Sequence, residues 1–125
     1  MVRFNKGSAK PKPVTFRTVR ALAMALPEAA EGTSYGTPAF FVRGKFFARK
    51  HQSGEVLVVK IDLKDRAQRM AADPGTFFIT DHYVKHPLML VRLASVYVDD
   101  LRDLLVESWR RSAPQRLVAL LDETS

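Results

Sequence analysis

The spacing of apolar residues along the chain predicts three main helices. Between positions 16 and 26, apolar residues recur every three or four positions after a capping Thr15, which is typical of an amphipathic helix. A second helix is predicted over LKDRAQRMAA, where Asp62 precedes the first turn and caps it. A third begins at Asp99 or Asp100 and has an apolar stripe formed by Leu101, Leu104, Leu105 and Trp109. A final turn or short helix follows over QRLVALLDE.

Aromatic and β-branched stretches predict five strands. AFFV and KFFARK flank Arg43-Gly44 and predict a hairpin, because glycine supplies the positive φ that a tight turn requires. EVLVVKI predicts a third strand, and the short runs at 77–80 and 88–93 predict two more. The order of elements lacks a βαβ alternation. It therefore predicts an α+β fold, with one antiparallel sheet of about five strands, helices packed on one face and the other face open.

Length and composition indicate one small domain. The chain has 125 residues, and 46% of them are hydrophobic, which is enough for a core without covalent cross-links. Residues 1–13 mix Lys, Pro, Gly and Ser and predict a flexible basic arm in front of a single domain over 14–125. The lack of cysteine excludes disulfides and thiolate chemistry, and neither a secretory signal nor a membrane span is visible. These features favour a cytoplasmic location.

The formal charge of +7 is unevenly spread along the chain. Residues 1–20 contain six basic residues and no acidic one, whereas residues 93–125 contain four basic and six acidic residues. A positive field concentrated in the first three quarters of the chain favours an anionic partner, of which nucleic acid is the commonest.

The two Phe-Phe doublets of the hairpin raise the question of which ring faces the core. Neighbouring side chains of a strand point to opposite faces, so each doublet places one ring on each side of the sheet. A two-residue loop would pair Phe41 with Phe46 and Phe40 with Phe47. A three-residue loop instead gives one face with Phe40, Val42, Phe46 and Ala48 and another with Phe41, Lys45, Phe47 and Arg49. We prefer the three-residue loop, because it separates an apolar face from one that mixes rings with cations.

This mixed face predicts a nucleic-acid-binding surface, since aromatic rings stack on bases and cations contact phosphates. The candidate binding residues are Phe41 and Phe47 for stacking, with Arg43, Lys45, Arg49 and Lys50 on the hairpin and Lys10 and Lys12 on the arm for phosphates. The same rings would equally suit a homodimer or another protein partner, which is the main alternative.

The sequence contains no recognisable catalytic motif. Neither a G-x-S-x-G elbow nor a glycine-rich phosphate loop is present, so we expect no enzymatic activity and no cofactor. His82 and His86 form H-x-x-x-H, but Pro87 disfavours a helix there, so we expect no metal site. A third hypothesis is a small-ligand site that uses the GTSYGTP loop together with His82 and Tyr83.

The chain resembles the MmcQ/YjbR-like family of small bacterial proteins. The resemblance rests on EGTSYGTPAFFVRGKFFAR, AADPGTFFITDHYVKHPLMLVRL and LRDLLVESWRRSAPQRL, and it covers residues 15–120. It implies a frataxin-like or CyaY-like α+β domain, and members of the family are generally described as DNA-binding by analogy of fold and surface. The family offers no catalytic residues to carry over. Frataxins bind iron through an acidic ridge, and the first predicted helix here has no acidic cluster, so the resemblance does not imply iron binding.

Overall fold

The computed structural model describes residues 14–124. The proposed basic arm, with Lys10 and Lys12, lies outside the described residues. In chain order the elements are α1 (Phe16–Met24), β1 (Ala29–Ser34), β2 (Thr37–Val42), β3 (Lys45–Lys50), β4 (Val56–Lys60), α2 (Leu63–Ala72), β5 (Phe77–Phe78), a short 3-10 turn (Asp81–Tyr83), β6 (Leu88–Arg92), α3 (Val98–Ser112) and α4 (Gln115–Thr124).

The strands form one antiparallel sheet in the order β1-β2-β3-β4-β6-β5. The predicted α+β class is confirmed, and the sheet has one strand more than expected. The additional strand, β1, has the sequence AAEGTS, in which small and polar residues give little intrinsic strand preference. It forms because it pairs with the whole of β2, from Ala29 opposite Val42 to Ser34 opposite Thr37.

The main core lies between one face of the sheet and the helices α1 and α3. Trp109 of α3 is fully buried, and its indole N–H donates a hydrogen bond to the carbonyl oxygen of Pro27, 3.0 Å away. This bond joins α3 to the connection between α1 and β1. We call the sheet face beneath these helices the core face and the opposite one the open face.

A side-chain cap is present at the start of α2 but not at the starts of α1 and α3. Thr15 directly precedes α1 as predicted, but its side chain makes no capping hydrogen bond. The Asp62 carboxylate accepts hydrogen bonds from the backbone N–H groups of Lys64 and Asp65, which confirms the predicted cap of α2. Helix α3 begins at Val98, slightly earlier than predicted. Asp99 and Asp100 therefore lie in its first turn, where their negative charge is favourable near the positive end of the helix dipole.

The β2–β3 hairpin turns on two residues, so the preferred three-residue loop is wrong. Phe41 pairs with Phe46 next to the turn, but Phe40 pairs with Ala48, so Phe47 is the extra residue of a β-bulge. Both Phe47 and Ala48 belong to the main core. By alternation, the open face receives Phe41 and Phe46, and the prediction that Phe47 lies there is wrong.

The hydroxyl of Ser108 bridges β3 and β4 where their pairing ends. The last paired residues are Ala48 and Val59. Beyond them, the Ser108 hydroxyl donates a hydrogen bond to the carbonyl oxygen of Phe47 and accepts one from the backbone N–H of Lys60, at 2.9 Å. The Ser108 side chain thus takes the place of the next backbone hydrogen bond between β3 and β4, and it joins α3 to the bulge at Phe47.

Replacing Ser108 with alanine should lower the free energy of unfolding by about 1–3 kcal/mol, because two backbone groups lose their partner. Urea denaturation followed by circular dichroism measures the change. Ser112→Ala is the matched control, since the Ser112 hydroxyl contacts only carbonyl oxygens, those of Phe46 and Ser108, and leaves no N–H without an acceptor. Equal losses in the two variants would contradict a bridging role for Ser108.

Candidate functional site

The open face is partly covered by the segment between β5 and β6. In this segment Tyr83 is buried, and it packs against Val56, Val58 and Leu90 in a second apolar cluster. The expectation of an uncovered face therefore holds only for the part of the sheet nearer to the β2–β3 hairpin. The segment DHYVKHP, which looked like an exposed connection in the sequence, forms one wall of the site.

A buried arginine of α2 holds this covering segment in place. The Arg66 guanidinium donates hydrogen bonds of 2.7–3.1 Å to four carbonyl oxygens, which belong to Tyr83, Val84, His86 and Leu88. Because a guanidinium presents donors in a rigid plane, it can hold several carbonyls of one irregular segment at once. Nothing in the sequence indicated this role, because Arg66 lies among other charged residues on a predicted helix.

Arg49 occupies the centre of the open face. Its side chain is only 8% exposed, and its Nη2 donates a hydrogen bond to the hydroxyl oxygen of Tyr83, 3.0 Å away. The guanidinium carbon lies 5.2 Å from the ring centroid of Tyr35 and 5.9 Å from that of Phe46. The predicted site residue Arg49 is therefore present on the open face, but it is held among aromatic rings and is not a freely exposed cation.

A cleft of about 580 Å³ opens beside Arg49, and we call it the open-face cleft. Three aromatic side chains and three histidines contribute to its walls. The lining residues are Tyr35, Phe46, Arg49, His51, Gln52, Thr80, His82, Tyr83, His86 and Leu88. The third hypothesis from the sequence named the GTSYGTP loop, His82 and Tyr83, and the structure brings Tyr35 of this loop to the same cleft as His82 and Tyr83.

Tyr35 stands at the mouth of the cleft in an unfavourable backbone conformation. Its φ is +54°, and Gly36 beside it has a φ of +77°, so both central residues of the β1–β2 turn are left-handed. Asn or Gly normally occupies such a position, because a bulky side chain is strained there. The Tyr35 ring nevertheless remains 79% exposed, so burial of the ring does not offset the strain.

His51 lies in the cleft as a neutral ring with a defined tautomer. Its Nδ1 accepts the backbone N–H of Ser53 at 3.1 Å, which places the hydrogen of the neutral ring on Nε2. Burial lowers the pKa of His51 from its ordinary value of 6.5, and the positive charge of Arg49 lowers that pKa further. His82 and His86 have ring centroids 6.1 Å apart, and within residues 14–124 no group of three metal-binding side chains comes together.

The other predicted site residues fall into different environments. Arg43 at the hairpin tip makes two hydrogen bonds to the Glu28 carboxylate, and Lys50 lies 3.5 Å from the carboxylate of Glu55. Phe41 is half-buried, and its ring packs closely over Gly32. A Cβ atom added to Gly32 would lie only 3.2 Å from the ring of Phe41. Lys45 is exposed.

Lys45 belongs to a group of three cations, together with Lys60 and Arg111, that we call the cation cluster. Burial lowers the pKa of Lys60 most, and the charges of Lys45 and Arg111 lower that pKa further. Within the described residues, no carboxylate forms an ion pair with any of the three. Sequence reasoning missed Lys60 and Arg111. Side chains alternate between the two faces along β4, VLVVK, so the sequence could have placed Lys60 on the same face as Val58. Arg111 comes close to Lys60 only through the packing of α3.

The fold and the open-face cleft define a small α+β domain with a cationic, aromatic face. A family model described as YjbR matches residues 24–111, which is most of the chain. The chain belongs to the YjbR family, as the resemblance in its sequence indicated. No helix within residues 14–124 is long and apolar enough to cross a membrane.

Three mycobacterial relatives of this chain are described as uncharacterised proteins. Proteins of Mycobacterium bovis and of two strains of Mycobacterium tuberculosis are 39% identical to this chain over 67 residues, which is 53% of the chain and 52% of each relative. The matched region thus spans about half the length of these curated relatives. The crystal structure of a Deinococcus radiodurans protein with a DUF419 domain superposes with a TM-score of 0.69 at 21% identity, covering 81% of this chain and 80% of that one. This likeness shows a shared fold.

Replacing Arg66 with lysine should loosen the covering segment while keeping the charge. One ammonium cannot reach all four carbonyls, so we expect a loss of about 2 kcal/mol or more in unfolding free energy. Hydrogen exchange at the amides of Tyr83 and His86 should accelerate by about tenfold or more. Arg69→Lys on the same helix is the control, because Arg69 faces the ring of Phe77. If the two variants exchange alike, Arg66 does not hold the segment.

The His51 ring should titrate below pH 6.5 in an NMR pH series of the folded protein, and at its ordinary value when the chain is unfolded in urea. At a pH just below 6.5, His51 is then protonated in the unfolded chain but still largely neutral in the folded chain. The unfolding free energy should therefore fall as the pH drops through 6.5. Arg49→Gln should raise the His51 pKa only in part, since burial is the larger cause. A midpoint at or above 6.5 would disprove this assignment.

Proposed function

We propose that this chain is a cytoplasmic, non-enzymatic DNA-binding module that contacts phosphates through the cation cluster of Lys45, Lys60 and Arg111. The observation that carries the proposal is that these three cations have no carboxylate partner among the described residues. Burial lowers the pKa of Lys60 most, and repulsion by the charges of Lys45 and Arg111 lowers that pKa further. A nearby anion would relieve that repulsion. A phosphate backbone offers a regular series of anions and binds largely through such contacts.

The pairing of the other hairpin cations supports this choice of surface. Arg43 and Lys50 already have carboxylate partners in Glu28 and Glu55, so a phosphate would have to compete with an existing partner. Lys45 lies on β3 with Lys50, but it has no carboxylate partner among the described residues. The proposed interface therefore moves from the tip of the hairpin to its side, where β3, β4 and the end of α3 come together.

An aromatic ring adjoins the cluster and suits a nucleic acid. The Nζ of Lys60 lies 5.0 Å from the ring centroid of Phe46, and this half-buried ring also lines the open-face cleft. Phe46 thus takes the stacking role that the sequence assigned to Phe47, with Phe41 beside it across the hairpin. The basic arm, with Lys10 and Lys12, would add further phosphate contacts.

The salt dependence of DNA affinity tests this proposal. The three phosphate contacts of the cation cluster should contribute about −2.7 to the slope of the logarithm of the association constant against the logarithm of salt concentration on duplex DNA, and contacts of the arm would make that slope steeper. Lys45→Gln combined with Lys60→Gln should make the parent slope less steep by about 1.8. Fluorescence anisotropy with labelled duplex and single-stranded DNA measures both slopes.

Arg102→Gln is the matched control for the loss of a positive charge. Arg102 lies on α3 about 13 Å along the helix axis from Arg111, and it pairs with Asp99. This control should retain most of the parent slope. An unchanged slope in the Lys45 and Lys60 double variant, or no binding by the folded parent at low salt, would refute the proposal.

The alternative, a homodimer formed through the open face, has less support. The segment that contains Tyr83 already covers the apolar cluster on that face, and the remaining area carries the charge of Arg49. A second copy would bring a second Arg49 to the same surface in a symmetric contact, and the two charges would repel. Sedimentation of the sample used for anisotropy reports whether dimers form.

A further inference from the structure

The charge of Arg49 is buried without a compensating carboxylate among the described residues. Its side chain is 8% exposed, and the hydroxyl of Tyr83 is its hydrogen-bond partner. A buried cation is expensive unless an opposite charge or several hydrogen bonds compensate it. None of the residues lining the open-face cleft is an Asp or a Glu, so the cleft itself offers no compensating charge.

The cleft has hydrogen-bond donors beside this charge. The Tyr83 oxygen accepts a hydrogen bond from Arg49, which leaves the phenolic hydrogen available for another acceptor. His51 has its ring hydrogen on Nε2, because Nδ1 accepts from the Ser53 backbone. A cation and two donors without a nearby acid form a site for an oxyanion.

The walls of the cleft are aromatic as well as cationic. Tyr35 is held at a φ of +54° in a turn where Asn would be unstrained, and its ring lies over the Arg49 guanidinium. Strain of this kind in a surface turn points to a role for the side chain itself. Phe46 provides a second ring, whose centroid lies 5.9 Å from the Arg49 guanidinium carbon. Two rings beside one cation suit a ligand that has a planar part next to its anion.

We propose that the open-face cleft binds a small anionic molecule with a planar ring, a phosphate or carboxylate whose oxyanion meets Arg49 and Tyr83 while its ring stacks on Tyr35 or Phe46. A cleft of about 580 Å³ is of the size that small-molecule sites have, roughly 300–1,000 Å³. This site goes beyond the proposed DNA contact, because it depends on Arg49, Tyr83 and Tyr35 and does not require the cation cluster.

The test compares probes that separate the anion from the ring. AMP and naphthoate each have a planar ring and an oxyanion, adenosine lacks the anion, and inorganic phosphate lacks the ring. NMR titration of backbone amides at Arg49, His51 and Tyr83 measures each dissociation constant. We expect AMP or naphthoate to bind at least about tenfold more tightly than both adenosine and inorganic phosphate. Comparison of naphthoate with naphthyl phosphate, which share one ring system, then identifies the oxyanion as carboxylate or phosphate.

Two variants test the assigned contacts while preserving the fold. Tyr35→Asn suits the left-handed turn and should weaken the tighter probe by about tenfold, because it removes a stacking ring. Tyr83→Phe keeps the ring in its apolar cluster, removes the hydroxyl and should weaken the same probe several-fold. Arg102→Gln, which removes a positive charge of α3 that does not line the cleft, should leave the affinity for this probe unchanged.

Three outcomes would overturn the proposal. In the first, neither AMP nor naphthoate saturates the cleft amides at millimolar concentration. In the second, adenosine or inorganic phosphate binds as tightly as the anionic ring compounds. In the third, Tyr35→Asn binds the tighter probe as strongly as the parent does. Loss of DNA binding alone, with AMP or naphthoate still bound, would refute only the DNA proposal.

Discussion

The open face depends on the contact of the Arg66 guanidinium with four backbone carbonyls. Three of these carbonyls lie in the irregular segment before β6, where no strand pairs with them, and the fourth belongs to Leu88, the first residue of β6. A rigid donor plane satisfies the four together. The segment carries Tyr83, and the Tyr83 hydroxyl holds Arg49. Through this segment, the buried Arg66 of α2 positions the guanidinium of Arg49 on β3.

A second constraint, the bulge at Phe47, decides which aromatic side chains can meet a ligand. The extra residue turns Phe47 and Ala48 towards the core together and leaves Phe46 on the open face. The bulge also interrupts the pairing of β3 with β4, and Ser108 of α3 supplies the missing bonds. The packing of α3 and the composition of the open face are therefore linked through one irregularity in the sheet.

Among the described residues, the cations of β3, β4 and the hairpin turn divide into those with and those without a carboxylate partner, and this division separates two surfaces. Arg43 and Lys50 pair with acids, whereas Arg49 lies in the open-face cleft and Lys60 lies in the cation cluster. The Phe46 ring lies near both cations that lack a carboxylate partner, 5.9 Å from the Arg49 guanidinium carbon and 5.0 Å from the Lys60 Nζ. The two proposed ligands share an anionic group and a planar ring, which are the groups that this arrangement can contact.

The sequence by itself determined the α+β class, the hairpin, the helix starts and the family, because these depend on periodicity, turn residues and local motifs. It could not determine that Phe47 is buried, since a bulge shifts alternation by one residue and its position depends on the neighbouring strand and helix. Nor could it place Tyr35, Arg49 and Tyr83 together, because a covering segment fixed by Arg66 creates that contact. The site arises from packing between elements distant in the chain, which local residue preferences do not encode.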